Sequence, residues 1–441
     1  MIEQFETALR RTVADEIGAY LARCETEGRP LPDDTDRRQM ARAVLRRELD
    51  NQYKAAHQRG QPWMSPEEED RLIEIVMSSV FSVIPGLDRY LARRDVTDID
   101  ANGCDDVRLT LIDGTETLVE PIASSDGELI EAIQTLARRA GHDGIEKEFT
   151  PTRPLLDLQL YDGSRLAAAA WVTKRPYVSV RRHLLVDAGQ DDLVGRGMYD
   201  RGVQSFLRAL VRARKNGVIA GGQGVGKTTL MRALLHECEP SERLIVLEQE
   251  PELHLDSNPD RHNQVLVFME RPANMEGKGE VTLADLSRSV KRFRPRRLVV
   301  GEVRGPEVID MLEAMTQGIK GSWCTVHADS SFSVFPRLPV YARKGGHEWR
   351  TGDVYQLAAL AVNFVIYLDW AEDGRRVVSE IRHVESYDSL SEQIITNEWF
   401  IPGPDGAAAR NPDAPIPVRI LDEMVAHGYD PSLHADSGVR R

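Results

Sequence analysis

At 441 residues the chain is long enough for two or three domains, each with a buried core. Its composition is that of a soluble protein, 41% hydrophobic and 29% charged, with no run of about 18 apolar residues such as a membrane span requires. A net charge of −14 argues against a protein that coats nucleic acid, which needs a basic surface, so no direct nucleic-acid contact is expected. Cys24, Cys104, Cys238 and Cys324 are scattered without a C-x-x-C pair and read as reduced thiols. The start, Met1 to Glu6, is acidic and lacks an apolar core, so no signal peptide is expected and the chain reads as cytoplasmic or peripheral at most.

Residues 1–85 read as a helical N-terminal segment. Phe5, Leu9, Val13, Ile17 and Leu21 recur every fourth residue between charges. The Gly28 to Pro32 stretch breaks this run, a second helix is expected from about Asp36 to His57, and a third follows Pro66. Residues 86–186 change texture to a mixed α+β domain. Val107, Leu109 and Leu111 alternate with polar residues, and Asp113-Gly114 supplies a hairpin turn before Thr117 to Val119. Leu129, Ile130, Ile133 and Leu136 mark a helix; a second turn, Asp162-Gly163, and a strand around Val178 to Arg181 follow. Residues 187–200, rich in Asp and Gly, read as a linker.

Residues 201–397 read as a P-loop α/β domain. Gly221-Gly222-Gln223-Gly224-Val225-Gly226-Lys227-Thr228-Thr229 fits G-x-x-x-x-G-K-[ST]. Its glycines let backbone N–H groups turn inward on phosphate oxygens, Lys227 can reach the β/γ-phosphates, and the Thr228 hydroxyl can take a Mg²⁺ position. Val218 to Ala220 reads as a buried strand entering the loop, with a helix after it carrying Leu230, Met231, Leu234 and Leu235 on one face. Leu244 to Leu247 is a second apolar run ending in Glu248, and Val265 to Phe268 a third. Leu298 to Gly301 delivers Glu302, and Trp323 to Val326 delivers His327. Acids at the carboxyl ends of strands are where an α/β sheet holds its ligand, and Glu302 has the address of a Mg²⁺ or water-orienting acid. Such strand–helix repeats predict a mostly parallel sheet with helices on both faces. Residues 398–441 read as a Pro/Gly/Asp-rich tail with a short helix near Ile420 to His427.

Four boxes occur in series: the phosphate loop, Glu248-Gln249-Glu250-Pro251-Glu252-Leu253, Arg294 to Glu307 around Val300-Gly301-Glu302, and Gly321 to Ser330 around His327. Upstream stand Arg153 to Asp157, Leu160 to Arg165 and Val180-Arg181-Arg182; downstream stands Asp373 to Val377. Over about residues 85 to 385 the chain thereby resembles the type II/type IV secretion traffic ATPases, and within them the Tad/Flp pilus-assembly (CpaF-like) branch. The resemblance implies an α/β fold: a RecA-like P-loop ATPase core preceded by a mixed α+β (PAS-like) domain. It also implies ATP and Mg²⁺ as cofactors, a homo-hexamer with nucleotide between domain and core, and an inner-membrane platform protein as partner. Glu302 then corresponds to the Walker B acid, Glu248 to the acidic-box glutamate and His327 to the histidine box. Arg165 and Arg181 are candidates for reaching the phosphates. The chain departs from the family pattern at Gln249, Arg296 and Asp329. A conjugative DNA-transfer ATPase of the same superfamily, and a nucleotide-binding scaffold with lost turnover, stay open as alternatives.

Overall fold

The computed structural model describes residues 34–59 and 84–437, except 94, 113, 140–147, 161–163, 183–187, 272, 274–277 and 347, together with 9, 12–13, 16–20, 23–24, 63–65, 68–69, 72–73 and 76–77. Phe5, Leu21, Asp113, the Asp162-Gly163 turn and the first residue of the expected linker lie outside the described residues. The chain divides into two compact units, 1–184 and 185–441. Among the described residues no helix is long and apolar enough to cross a membrane.

In the first unit, helix α1 (Asp34–Gln58) buries Ala41, Leu45 and Leu49 in a cluster with Leu9, Val13, Leu72 and Val76. These positions on α1 fall four apart, which is the spacing that puts them on one face. After α2 (Pro85–Leu91) come β1 (Val96–Asn102), β2 (Val107–Leu111), β3 (Glu116–Val119), α3 (Asp126–Arg139), β4 (Leu155–Gln159), β5 (Arg165–Ala169) and β6 (Tyr177–Arg181). The strands form one sheet in the order β3-β2-β1-β6-β5-β4, with every neighbouring pair antiparallel. Alternation does the sorting: Val178 and Val180 are buried beside Ile99, Leu129 and Ile133, while Tyr177, Ser179 and Arg181 face outward.

The second unit holds α4 (Gln190–Gly195), α5 (Arg201–Arg212), β7 (Gly217–Gly221), α6 (Lys227–Leu235), β8 (Leu244–Glu248), β9 (Val265–Met269), α7 (Leu283–Val290), β10 (Arg297–Val300), α8 (Glu307–Thr316), β11 (Trp323–His327), α9 (Val334–Arg343), α10 (Thr351–Ala361), β12 (Phe364–Trp370), β13 (Arg376–Asp388), β14 (Gln393–Pro402), β15 (Ala408–Arg410) and α11 (Val418–Ala426). Its nine strands run in the order β15-β14-β13-β12-β7-β11-β10-β8-β9. The six from β12 to β9 are parallel, whereas β13, β14 and β15 continue the sheet antiparallel. Strands β7, β8 and β10 are buried along their whole length, so they read as unbroken apolar runs. Ile219 and Val246 pack on one face with Phe206 of α5 and Leu230 of α6; Val218, Ala220, Ile245 and Leu247 pack on the other with Leu286, Met311, Leu338 and Ala358.

Residues 398–437, expected as a tail with one short helix, take part in the fold of the second unit. Strands β14 and β15 complete the sheet, Trp399 and Phe400 are fully buried, and α11 seats Met424 in the same core as Phe206.

Candidate active site

Strand β7 enters the phosphate loop at a point with no room for a side chain. A Cβ on Gly221 would lie 2.6 Å from the Leu368 carbonyl oxygen of β12. Val225 is buried and pins the loop to the core, while Gly222, Gln223 and Gly224 are exposed at its crest. Gly226 has φ +97°, a left-handed geometry that glycine adopts without strain, and it precedes α6. No side chain caps that helix, so its first N–H groups are left for a ligand. A Gly-rich turn feeding an uncapped helix N-terminus is an anion site.

Around the loop the functional side chains form one connected chain. Lys227 is buried, and its Nζ donates to the carbonyl oxygens of Gly221 (3.1 Å) and Gly222 (2.6 Å). It also lies 3.2 Å from His327 Nδ1, which accepts because an ammonium can only donate. Burial pulls the Lys227 ammonium down to about 8, and burial together with Lys227 lowers His327 as well, which favours a neutral imidazole. His327 Nε2 sits 2.8 Å from Glu302 Oε1, and Glu302 Oε2 accepts from Arg304. The guanidinium of Arg304 reaches on to Gln249 Oε1 at 3.2 Å.

Thr228 stands in the first turn of α6, and Glu248 ends β8. The Thr228 hydroxyl donates to Glu252 Oε2 at 3.1 Å, which leaves its lone pairs available. Glu248 is almost wholly buried, and its Oε1 accepts from the backbone N–H groups of Glu252 (3.1 Å) and Leu253 (2.9 Å). Burial outweighs those bonds and pushes the carboxyl up to about 7. The sign follows from linkage: a carboxyl near 4.3 in the unfolded chain and near 7 in the fold contributes stability below about pH 4, and that contribution is lost as pH rises through about 7. Glu248→Gln removes the titration. Melting curves between about pH 5 and 8 are therefore expected to show wild type losing stability relative to Glu248→Gln as pH rises. Parallel pH profiles would contradict this.

The residues fit a Mg²⁺–nucleotide. Glu302 Oε1 is buried, and its contact with His327 lacks hydrogen-bond alignment, so the oxygen has no hydrogen-bond partner. An orphaned carboxylate oxygen beside a phosphate loop suits a cation's hydration shell.

Arg165 and Arg181 lie in the first unit, where they are register partners across β5 and β6, and Arg181 Nε donates to Asp98 at 2.7 Å. The carboxylate of Asp329 is exposed and pairs with Arg337 at 3.0 Å. Two participants were missed. Arg304 follows Glu302 by two residues, close enough along the chain for the two side chains to pair, and that spacing was the available signal. Glu252 was one of several acids after β8, and only the fold shows that it is the one at Thr228.

Residues 173–347 match the family described as Type II/IV secretion system protein. A Mycobacterium tuberculosis protein named for conjugal transfer is 39% identical over 189 residues, 43% of this chain and 52% of that protein. The type IV secretion system protein VirB11 of Brucella suis is 37% identical over 181 residues, 40% of this chain and 49% of its own length. The chain thus spans about half the length of these curated relatives. Among solved structures, the ATPase DotB of Yersinia pseudotuberculosis aligns at 15% identity with TM-score 0.49, covering 69% of this chain and 79% of that one.

Proposed function

From the match of residues 173–347 to the Type II/IV secretion system protein family, we propose that the chain is a Mg²⁺-dependent ATPase, a motor of a secretion, pilus-assembly or conjugation machine. The observation that carries this is the series Lys227, His327, Glu302, Arg304, each within 3.2 Å of the next, beside a phosphate loop whose following helix is uncapped. The loop N–H groups and Lys227 bind the phosphates, and Thr228 and Glu302 hold the cation. Bound Mg²⁺ would neutralise phosphate charge. Glu302 or Glu248 orients the attacking water. The order of the sequence boxes favours the Tad/Flp pilus branch. The relatives named for conjugal transfer and type IV secretion favour a second reading, a transfer ATPase.

In this reading the protein works as a ring of six against a platform protein at the cytoplasmic face of the inner membrane, with Arg165 and Arg181 reaching the nucleotide. The test is phosphate release from ATP by the purified full chain, with Mg²⁺ and with a chelator, alongside its mass in solution. Turnover that requires Mg²⁺ is expected. Tight ATP binding without turnover, even as an assembled ring, would instead favour a regulatory scaffold.

A further inference from the structure

Ligands of a parallel sheet lie beyond the carboxyl ends of its strands. There β12 runs beside β7 with Leu368 opposite Gly221, so Asp369 and Trp370 extend past the point where β7 turns into the phosphate loop. Ile366 and Leu368 share a core with Leu230 and Met231 of α6. Alternation along the strand puts Trp370 on that same face, the face of the helix that the loop opens. Directly across from Trp370 on β13 stands Arg376, with its guanidinium carbon 4.9 Å from the indole centroid. The stem of Arg376 borders the loop: its Cδ lies 3.7 Å from where a Cβ on Gly226 would sit, and Met198 Cε lies 3.4 Å from the same point.

A cross-strand Trp–Arg pair can serve a hairpin alone. This one stands at the ligand edge, and Trp370 remains 48% exposed although the sheet beneath it is packed. We propose that Trp370, held in place by Arg376, is the stacking platform for the heteroaromatic base of a nucleoside triphosphate whose phosphates occupy the loop. The proposal rests on the phosphate-site reading above. It adds where the base goes and how it is recognised. Stacking reads π surface, so the platform favours the larger purines and does not by itself separate adenine from guanine.

The test measures calorimetric affinities of ATP and of inorganic triphosphate, with Mg²⁺, for the full chain and for Trp370→Leu and Trp370→Phe. Leucine keeps apolar bulk and removes the π face; phenylalanine keeps it. The expected result is that Trp370→Leu weakens ATP about tenfold or more, leaves inorganic triphosphate unchanged, and is largely reversed in Trp370→Phe. ATP affinity unchanged in Trp370→Leu, or an equal loss for both ligands, overturns the platform and leaves the phosphate site standing. A wild-type chain that binds neither ligand overturns both.

Discussion

Lys227→Ala is expected to abolish ATP turnover and to weaken triphosphate binding by orders of magnitude. The neighbouring bases are otherwise engaged: Arg304 is committed to Glu302 and Gln249, the Arg376 guanidinium lies over Trp370, and His327 is held toward its neutral form. With the ammonium near 8, most copies are protonated at pH 7, and an arriving phosphate favours the charged form further. In this structure Nζ rests on the Gly221 and Gly222 carbonyls, so phosphate binding exchanges two neutral acceptors for a charged one. Losing a preorganised charge at the transferring phosphoryl group typically costs about 10²–10³ in rate. The measurement is steady-state phosphate release beside equilibrium binding. Turnover within a few-fold of wild type would remove Lys227 from the mechanism.

Glu302→Gln is expected to split the two properties that Lys227→Ala loses together. The amide keeps the shape, so triphosphate should bind within a few-fold of wild type. The negative charge that holds a cation and orients water is gone, so hydrolysis should fall by about 10²–10⁴. Arg304 loses its charged partner in the same substitution and keeps its bond to Gln249. Binding and single-turnover hydrolysis measured on one preparation separate these effects. Unchanged hydrolysis would shift the water-orienting role to Glu248.

What sequence conveyed about this site was whatever lies close along the chain. The loop is nine consecutive residues, and β7, β8 and β10 announce themselves because burial on both faces demands unbroken apolar runs. Glu248, Glu302 and His327 were legible because each ends such a run. The contacts among them were not. That Lys227 touches His327, and that Arg304 bridges Glu302 to Gln249, depends on strand order β7-β11-β10-β8, which no local pattern encodes. The same reason hid β12 as the neighbour of the loop and disguised β14 and β15 as a tail. Their residues alternate with polar ones and sit among prolines and glycines, and only pairing with β13 makes them strands.

The placement of β7 also governs how the molecule comes to be. Its two flanking partners, β11 and β12, arrive from more than a hundred residues downstream, Gly217 lying opposite both Trp323 and Phe364. Helix α6 can form as soon as its own residues exist, because its hydrogen bonds are local. The groove that frames the glycines must wait for the Leu368 end of β12, so ring closure over long chain separations precedes any competent phosphate cradle. A nascent chain emerging from the ribosome therefore carries the complete loop motif well before it owns a place for the loop to sit.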